Sequence, residues 1–130
     1  SLKESVKKLT KGKGADVIYD PVGGDLAQEC FSSIAWNGRY LVIGFASGTI
    51  PEVAVNRLLL KGASAVGVFW GSFIAREPQV SNENFQQLFA WFSEGKMLPH
   101  VSREYPLADA PKAMRDMLER KATGKLILVP

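Results

Sequence analysis

Gly38-Arg39-Tyr40-Leu41-Val42-Ile43-Gly44-Phe45-Ala46-Ser47-Gly48 is a short apolar run that opens into a loop of small residues. Too short for a stable helix and bounded by glycines, it reads as a buried parallel strand with a turn at its carboxyl end. Two further stretches share the pattern: Asp16-Val17-Ile18-Tyr19-Asp20-Pro21-Val22-Gly23-Gly24 before it and Ala65-Val66-Gly67-Val68-Phe69-Trp70-Gly71 after it. A helix-like segment separates each neighbouring pair, so the chain reads as repeated β-α-β units, an α/β fold on a parallel sheet. In such sheets ligands sit beyond the carboxyl ends of the strands. That rim is where functional residues are expected.

Around the strands, apolar periodicity places the helices. Leu2, Val6 and Leu9 recur at helical spacing between lysines, with no clear N-cap, so the chain starts abruptly in an amphipathic helix that Lys11-Gly12-Lys13-Gly14 ends. This Gly-x-Gly precedes a strand, whereas a dinucleotide fingerprint follows one. Asp25 is the expected N-cap of a helix that buries Leu26, Cys30, Phe31, Ile34 and Ala35 and closes at Trp36-Asn37-Gly38. Pro51-Glu52 starts the next helix, with Leu58, Leu59 and Leu60 on the sheet. Gly67, inside a strand, suggests close approach by another backbone or a ligand. Ser72 to Val80 reads as irregular, with Arg76-Glu77-Pro78 a surface loop.

Ser81-Asn82 caps a long helix with Phe85, Leu88, Phe89 and Phe92 on one face, a core stripe, and Gly95 stops it. Residues 99–105 alternate as a half-exposed strand. Asp109 starts a last helix with Ala110, Ala113, Met114, Met117 and Leu118 inward, and Lys125 to Val129 forms a final strand. His100 has no evident partner and is expected at the surface or on an edge strand.

Composition narrows the function. A chain of 130 residues is one domain by length, large enough to bury a core. The net charge of +3 comes mainly from lysines on solvated helix faces, with no nucleic-acid motif beside them. One cysteine and one histidine exclude an internal disulfide and any zinc-ligand spacing. No apolar run reaches the roughly 18 residues of a spanning helix, and the N-terminus carries no signal-peptide core. A cytoplasmic setting is expected.

Taken in order, residues 14–24, 38–48 and 66–71 with Lys121-Ala122-Thr123-Gly124-Lys125 resemble the medium-chain dehydrogenase/reductase superfamily, and within it the zinc-free, ζ-crystallin-like quinone oxidoreductase branch. Members are considerably longer and begin with a β-rich catalytic domain and a glycine-rich strand-turn-helix that grips the pyrophosphate. The resemblance therefore implies a C-terminal fragment. Residues 1–95 would be the second half of a Rossmann-type dinucleotide-binding domain, three parallel strands with helices. Residues 96–130 would be a strand-helix-strand segment returning to the catalytic domain.

The resemblance implies NADP(H) as cofactor, a quinone or enone as hydride acceptor, and no zinc. It places Val22, Gly23 and Gly24 near the riboses, Gly44, Phe45, Ala46 and Ser47 beside the nicotinamide ribose, and Val68, Phe69 and Trp70 against the carboxamide. It names no catalytic side chain. Nothing in these residues chooses NADP over NAD. A homodimer through the 64–70 strand edge is also implied, and the chain alone is expected to be inactive. The alternatives are a non-catalytic dimerisation or assembly module and a weak nucleotide binder.

Overall fold

The structure, a computed structural model describing residues 1–130, begins with α1 (Leu2–Leu9). Contrary to the expectation of no clear N-cap, Ser1 caps it. The Ser1 hydroxyl accepts from the Glu4 amide while the Glu4 carboxylate reaches back to the Ser1 amine, a capping box. Lys11 and Gly12 then turn the chain with positive φ, as the sequence suggests.

Three parallel strands follow in the order β1 (Ala15–Asp20), β2 (Ile34–Val42) and β3 (Ser64–Gly67). Val17 lies opposite Arg39 and Asp20 opposite Val42, and Arg39 in turn lies opposite Ser64. β2 begins earlier than expected: residues 34–37 belong to the strand and do not close the preceding helix. A register irregularity between Ala15 and Val17, with Asn37 at φ 58°, absorbs the extra residues. The Asn37 amide donates to the Lys61 carbonyl at 2.9 Å, which ties the entry of β2 to the turn before β3.

α2 (Leu26–Ser33) covers one face of this sheet. Asp25 stands at its N-cap but makes no capping bond there. Ala27, Cys30, Phe31, Ile34 and Tyr40 form the core, with Ile18, Val42, Val53 and Leu58 packed against it. Phe31 meets Tyr40 at 4.3 Å between ring centroids. The period of two puts Val17 and Tyr19 on the other face, where both are exposed. The helix expected from Pro51 is only α3 (Asn56–Leu59), so Leu58 reaches the core while Leu59 and Leu60 remain exposed.

The stretch read as irregular is instead helical, α4 (Trp70–Arg76) and α5 (Pro78–Ser93). Pro78 opens α5 at a position where its missing N–H costs nothing, so Ser81 and Asn82 lie inside the helix. Gly95 ends it as expected, with φ 70° and a paired set of bonds from Gly95 to Phe92 and from Lys96 to Trp91, the Schellman arrangement. The aromatic stripe expected as core is solvent-facing: Phe89 and Phe92 are exposed, and Phe85, Leu88, Phe89 and Phe92 line an open hollow with Met97 and Pro99.

By compactness the chain forms two units, Ser1–Arg76 and Glu77–Pro130. In the second, β4 (Val101–Pro106) pairs in parallel with β5 (Lys125–Val129), and α6 (Ala110–Leu118) joins them. Ala113 and Asp116 are buried, while Met114, Met117 and Leu118, expected inward, are exposed. The Tyr105 hydroxyl donates to Asp116 at 2.5 Å, and the Arg103 guanidinium joins the same carboxylate at 3.2 Å. Gly124 is required by proximity, since a Cβ there would lie 2.3 Å from the His100 carbonyl.

Two glycines near the start of β1 separate backbone strain from crowding. Gly12 and Gly14 both have positive φ, but a Cβ at Gly12 meets nothing within 4 Å while one at Gly14 would sit 2.6 Å from the Ser33 carbonyl. Gly12→Ala is expected to cost about 1 kcal/mol from the backbone alone. Gly14→Ala is expected to cost at least about 3 kcal/mol. Urea midpoints of the two variants measure the difference, and equal midpoints would show that Gly14 is not crowded.

Candidate functional site at the carboxyl rim

β1, β2 and β3 point the same way, so the turns that follow them share one rim. Three segments singled out in the sequence meet there: Val22 to Gly24 after β1, Gly44 to Ser47 after β2, and Val68 to Trp70 after β3. The first two are bonded together. The Ala46 amide donates to the Pro21 carbonyl and the Ser47 amide to Val22, each at 3.0 Å, and the Gly24 amide donates to Thr49 at 3.0 Å. The Val68 amide donates to Val42 at 2.9 Å, which holds the third segment beside the second.

Glycine makes this closeness possible. Gly23 and Gly24 lie at φ 68° and 60°, the left-handed region that other residues enter at a cost. A Cβ on Gly23 would stand 3.0 Å from the Phe45 ring, and one on Gly24 would stand 2.8 Å from the Ser47 hydroxyl. No other part of the chain lies within 4 Å of the Cβ that Gly67 lacks, so another backbone does not make the close approach expected there. Between the second and third segments is a cleft of about 390 Å³ lined by Val42, Ile43, Gly44, Phe45, Val68 and Phe69, together with Gly67. Trp70 is outside this lining and begins α4.

The residue that sequence reasoning passed over is Asp20. Its side chain is buried, 4% exposed, and its Oδ1 accepts from the amides of Val22 at 2.8 Å and Gly23 at 3.0 Å. Its Oδ2 accepts from the Tyr40 hydroxyl. Its main-chain carbonyl takes the amides of Ile43 at 3.0 Å and Gly44 at 3.4 Å. One residue thus holds two of the three rim segments. Burial pushes the Asp20 carboxyl upward, but the Tyr40 hydroxyl and the amides of Gly23 and Val22 outweigh it and leave its pKa lowered. Tyr40 is raised, by burial first and then by Asp20. The signal was present in sequence: an aspartate at a strand's end before two glycines is a side chain placed to bond its own turn.

Neither reactive side chain of the sequence is at the rim. Cys30 lies in the core, its thiol pushed up by burial, and His100 stands exposed before β4 with Nε2 3.3 Å from the Thr123 hydroxyl. No group of three His, Cys, Asp or Glu side chains is placed to hold a metal. No helix is long and apolar enough to cross a membrane.

Against known proteins, a family profile described as zinc-binding dehydrogenase matches residues 1–128. A quinone oxidoreductase-like protein 2 homolog from Nematostella vectensis is 41% identical over 129 residues, 98% of this chain and 35% of that protein. Quinone oxidoreductase-like protein 2 of Bos taurus is 39% identical over 128 residues, 98% of this chain and 37% of its own length. The Escherichia coli quinone oxidoreductase complexed with NADPH superposes with a TM-score of 0.75 at 28% identity, covering 100% of this chain and 40% of that one. The chain therefore spans little more than a third of the curated relatives it matches.

The lowered pKa of Asp20 fixes the sign of an acid effect. Its ionised form is favoured by the fold, so its contribution is complete above the ordinary value of 3.8 and is lost as pH falls through the lower folded value. Asp116, also lowered, acts in the same direction. Asp20→Asn is expected to flatten, without abolishing, the fall in thermal stability below about pH 4. Scanning calorimetry across pH 2 to 6 measures it, and an unchanged slope would show that Asp20 is not held ionised.

Proposed function

The chain belongs to the zinc-binding dehydrogenase family, in the quinone oxidoreductase branch of the medium-chain dehydrogenase/reductase superfamily, and on that footing we propose that it forms part of an NADP(H)-dependent, zinc-independent enzyme transferring hydride to a quinone or enone. In this reading residues 1–95 are the second half of the dinucleotide-binding domain and residues 96–130 return toward a catalytic domain, in a cytoplasmic protein.

The observation that carries the reading is the rim itself. Its cleft between the Gly44–Phe45 and Val68–Phe69 stretches is apolar, and the amides of Val22 to Gly24 are engaged inside the protein. Those features suit the nicotinamide-riboside end of the cofactor, which carries no anion, and not its pyrophosphate, which wants several convergent free amides. Val22, Gly23 and Gly24 then lie along the riboses, Gly44 to Ser47 flank the nicotinamide ribose, and Val68 to Trp70 face the carboxamide.

When bound, the dihydronicotinamide supplies a hydride, two electrons and a proton. The acceptor's reduction is completed by a proton from solvent. This chain's residues orient the ring and, through Phe45, Val68 and Phe69, keep its apolar side from water.

The 130-residue chain taken alone is expected to bind NADPH in the millimolar range and to show no quinone-dependent NADPH oxidation. Amide shifts in a titration with NADPH are expected at 22–24, 44–47 and 68–70, and Gly24→Ala, which would press on Ser47, is expected to weaken them about tenfold. Shifts confined to other segments, or none at saturating cofactor, would overturn the assignment.

A second reading concerns assembly. β3 is paired on one side only, and Val66 is exposed on it. We infer a homodimer through the 64–70 edge, which would also serve a non-catalytic assembly module. Light scattering is expected to give a dimer for the native chain and a monomer for Val66→Lys, because a lysine on an edge strand opposes pairing. A native chain that stays monomeric across a concentration series refutes this.

A further inference from the structure

The Val22–Gly24 turn has the form of an anion-binding site. Successive backbone amides in a turn with left-handed residues make a concavity that takes phosphates in many proteins, and here the amides of Val22 and Gly23 converge on one point. That point is filled from within by the Asp20 carboxylate, 2.8 Å and 3.0 Å away. The turn it shapes is also what the neighbouring loop rests on. Gly23 abuts the Phe45 ring and Gly24 abuts Ser47, so the position of both side chains follows from how the turn is drawn back toward Asp20.

Resting on the nicotinamide reading above, we propose that Asp20 is the positioning residue of the rim: its carboxylate occupies the anion turn of Val22 and Gly23, closes it to phosphate, and thereby dedicates it to the phosphate-free nicotinamide-riboside end of the cofactor. Asp20 touches neither cofactor nor substrate in this role. It acts through the turn, and its charge is shared by neutral partners only, two amides and the Tyr40 hydroxyl. A phosphate approaching the rim therefore meets occupied donors with a fixed negative charge behind them.

Nuclear magnetic resonance on the 130-residue chain tests this with two probes, inorganic phosphate and dihydronicotinamide riboside. In the native chain the amide resonances of Val22 and Gly23 are expected to titrate together, with a midpoint below the ordinary 3.8 of a free aspartate, and to ignore phosphate. Asp20→Ala is made in a Tyr40→Phe background, so that no buried hydroxyl is orphaned. Against Tyr40→Phe alone, it is expected to speed exchange at these two amides about tenfold, to weaken the riboside about tenfold, and to let phosphate shift them. Asp20→Asn, which keeps an acceptor oxygen, is expected to restore exchange and riboside binding.

Amides at Val22 and Gly23 that do not titrate in the native chain overturn the proposal, whether or not the double variant folds. So does an exchange increase spread evenly over β1 and β2, which would mark Asp20 as merely stabilising. If those amides behave as expected but the native chain ignores the riboside, the NADP(H) reading falls and the occupation of the turn by Asp20 stands.

Discussion

A carboxylate taken out of water must be met by donors or it destabilises the fold that buries it, and the first unit is built around one such group. Asp20 receives the Tyr40 hydroxyl and two amides on its side chain and two more amides on its carbonyl. Those contacts join the end of β1 to the middle of β2, to the turn that follows β1 and to the loop that follows β2. Each donor orphaned by its removal would cost about 1–3 kcal/mol, a large part of the stability of a domain this size. Tyr40 is half of the arrangement, since its ring packs on Phe31 in the core while its hydroxyl reaches the rim. Core packing and rim geometry are therefore one problem in this unit.

The second unit uses the same pair of residue types in another topology. There the tyrosine is on a strand and the aspartate on a helix, so the Tyr105–Asp116 bond fastens α6 to β4. The difference lies in the charge. Arg103 and Lys121 stand beside Asp116 and neutralise it, whereas the partners of Asp20 are dipoles that leave a full negative charge in place. A neutralised aspartate is a fastening. A solvated-by-dipoles aspartate also sets the local potential, and in this chain it does so directly behind the surface formed by the glycines.

The strands and their shared rim were legible because each apolar run stops at glycine or proline, a boundary that sequence displays. Register was not, because the irregularity at Asn37 depends on a positive φ that asparagine tolerates without announcing. Helix ends were legible where glycine enforces them, as at Gly95, and misplaced where a proline begins the helix, as at Pro78. Periodicity placed Phe85 to Phe92 and Met114 to Leu118 on apolar faces, but a period says that a face is apolar and not what lies against it. Asp20 was missed because an aspartate before proline reads as the end of a strand, while its function is in bonds to residues two, three and twenty positions away.

The parallel order of β1, β2 and β3 also governs how the rim comes into being. Neighbouring parallel strands are joined only through a crossover, so the chain must close a long loop before any bond between β1 and β2 rewards it. The bond from Tyr40 to Asp20 spans twenty positions and arrives with that pairing, not before it. Helices α1 and α2, eight residues each, are too short to be stable alone, and α2 adjoins the rim through the bond from the Ala27 amide to the Gly24 carbonyl. The turn at Val22 to Gly24 acquires its shape in the same cooperative step that completes the sheet, so partly folded forms of this chain lack the rim altogether.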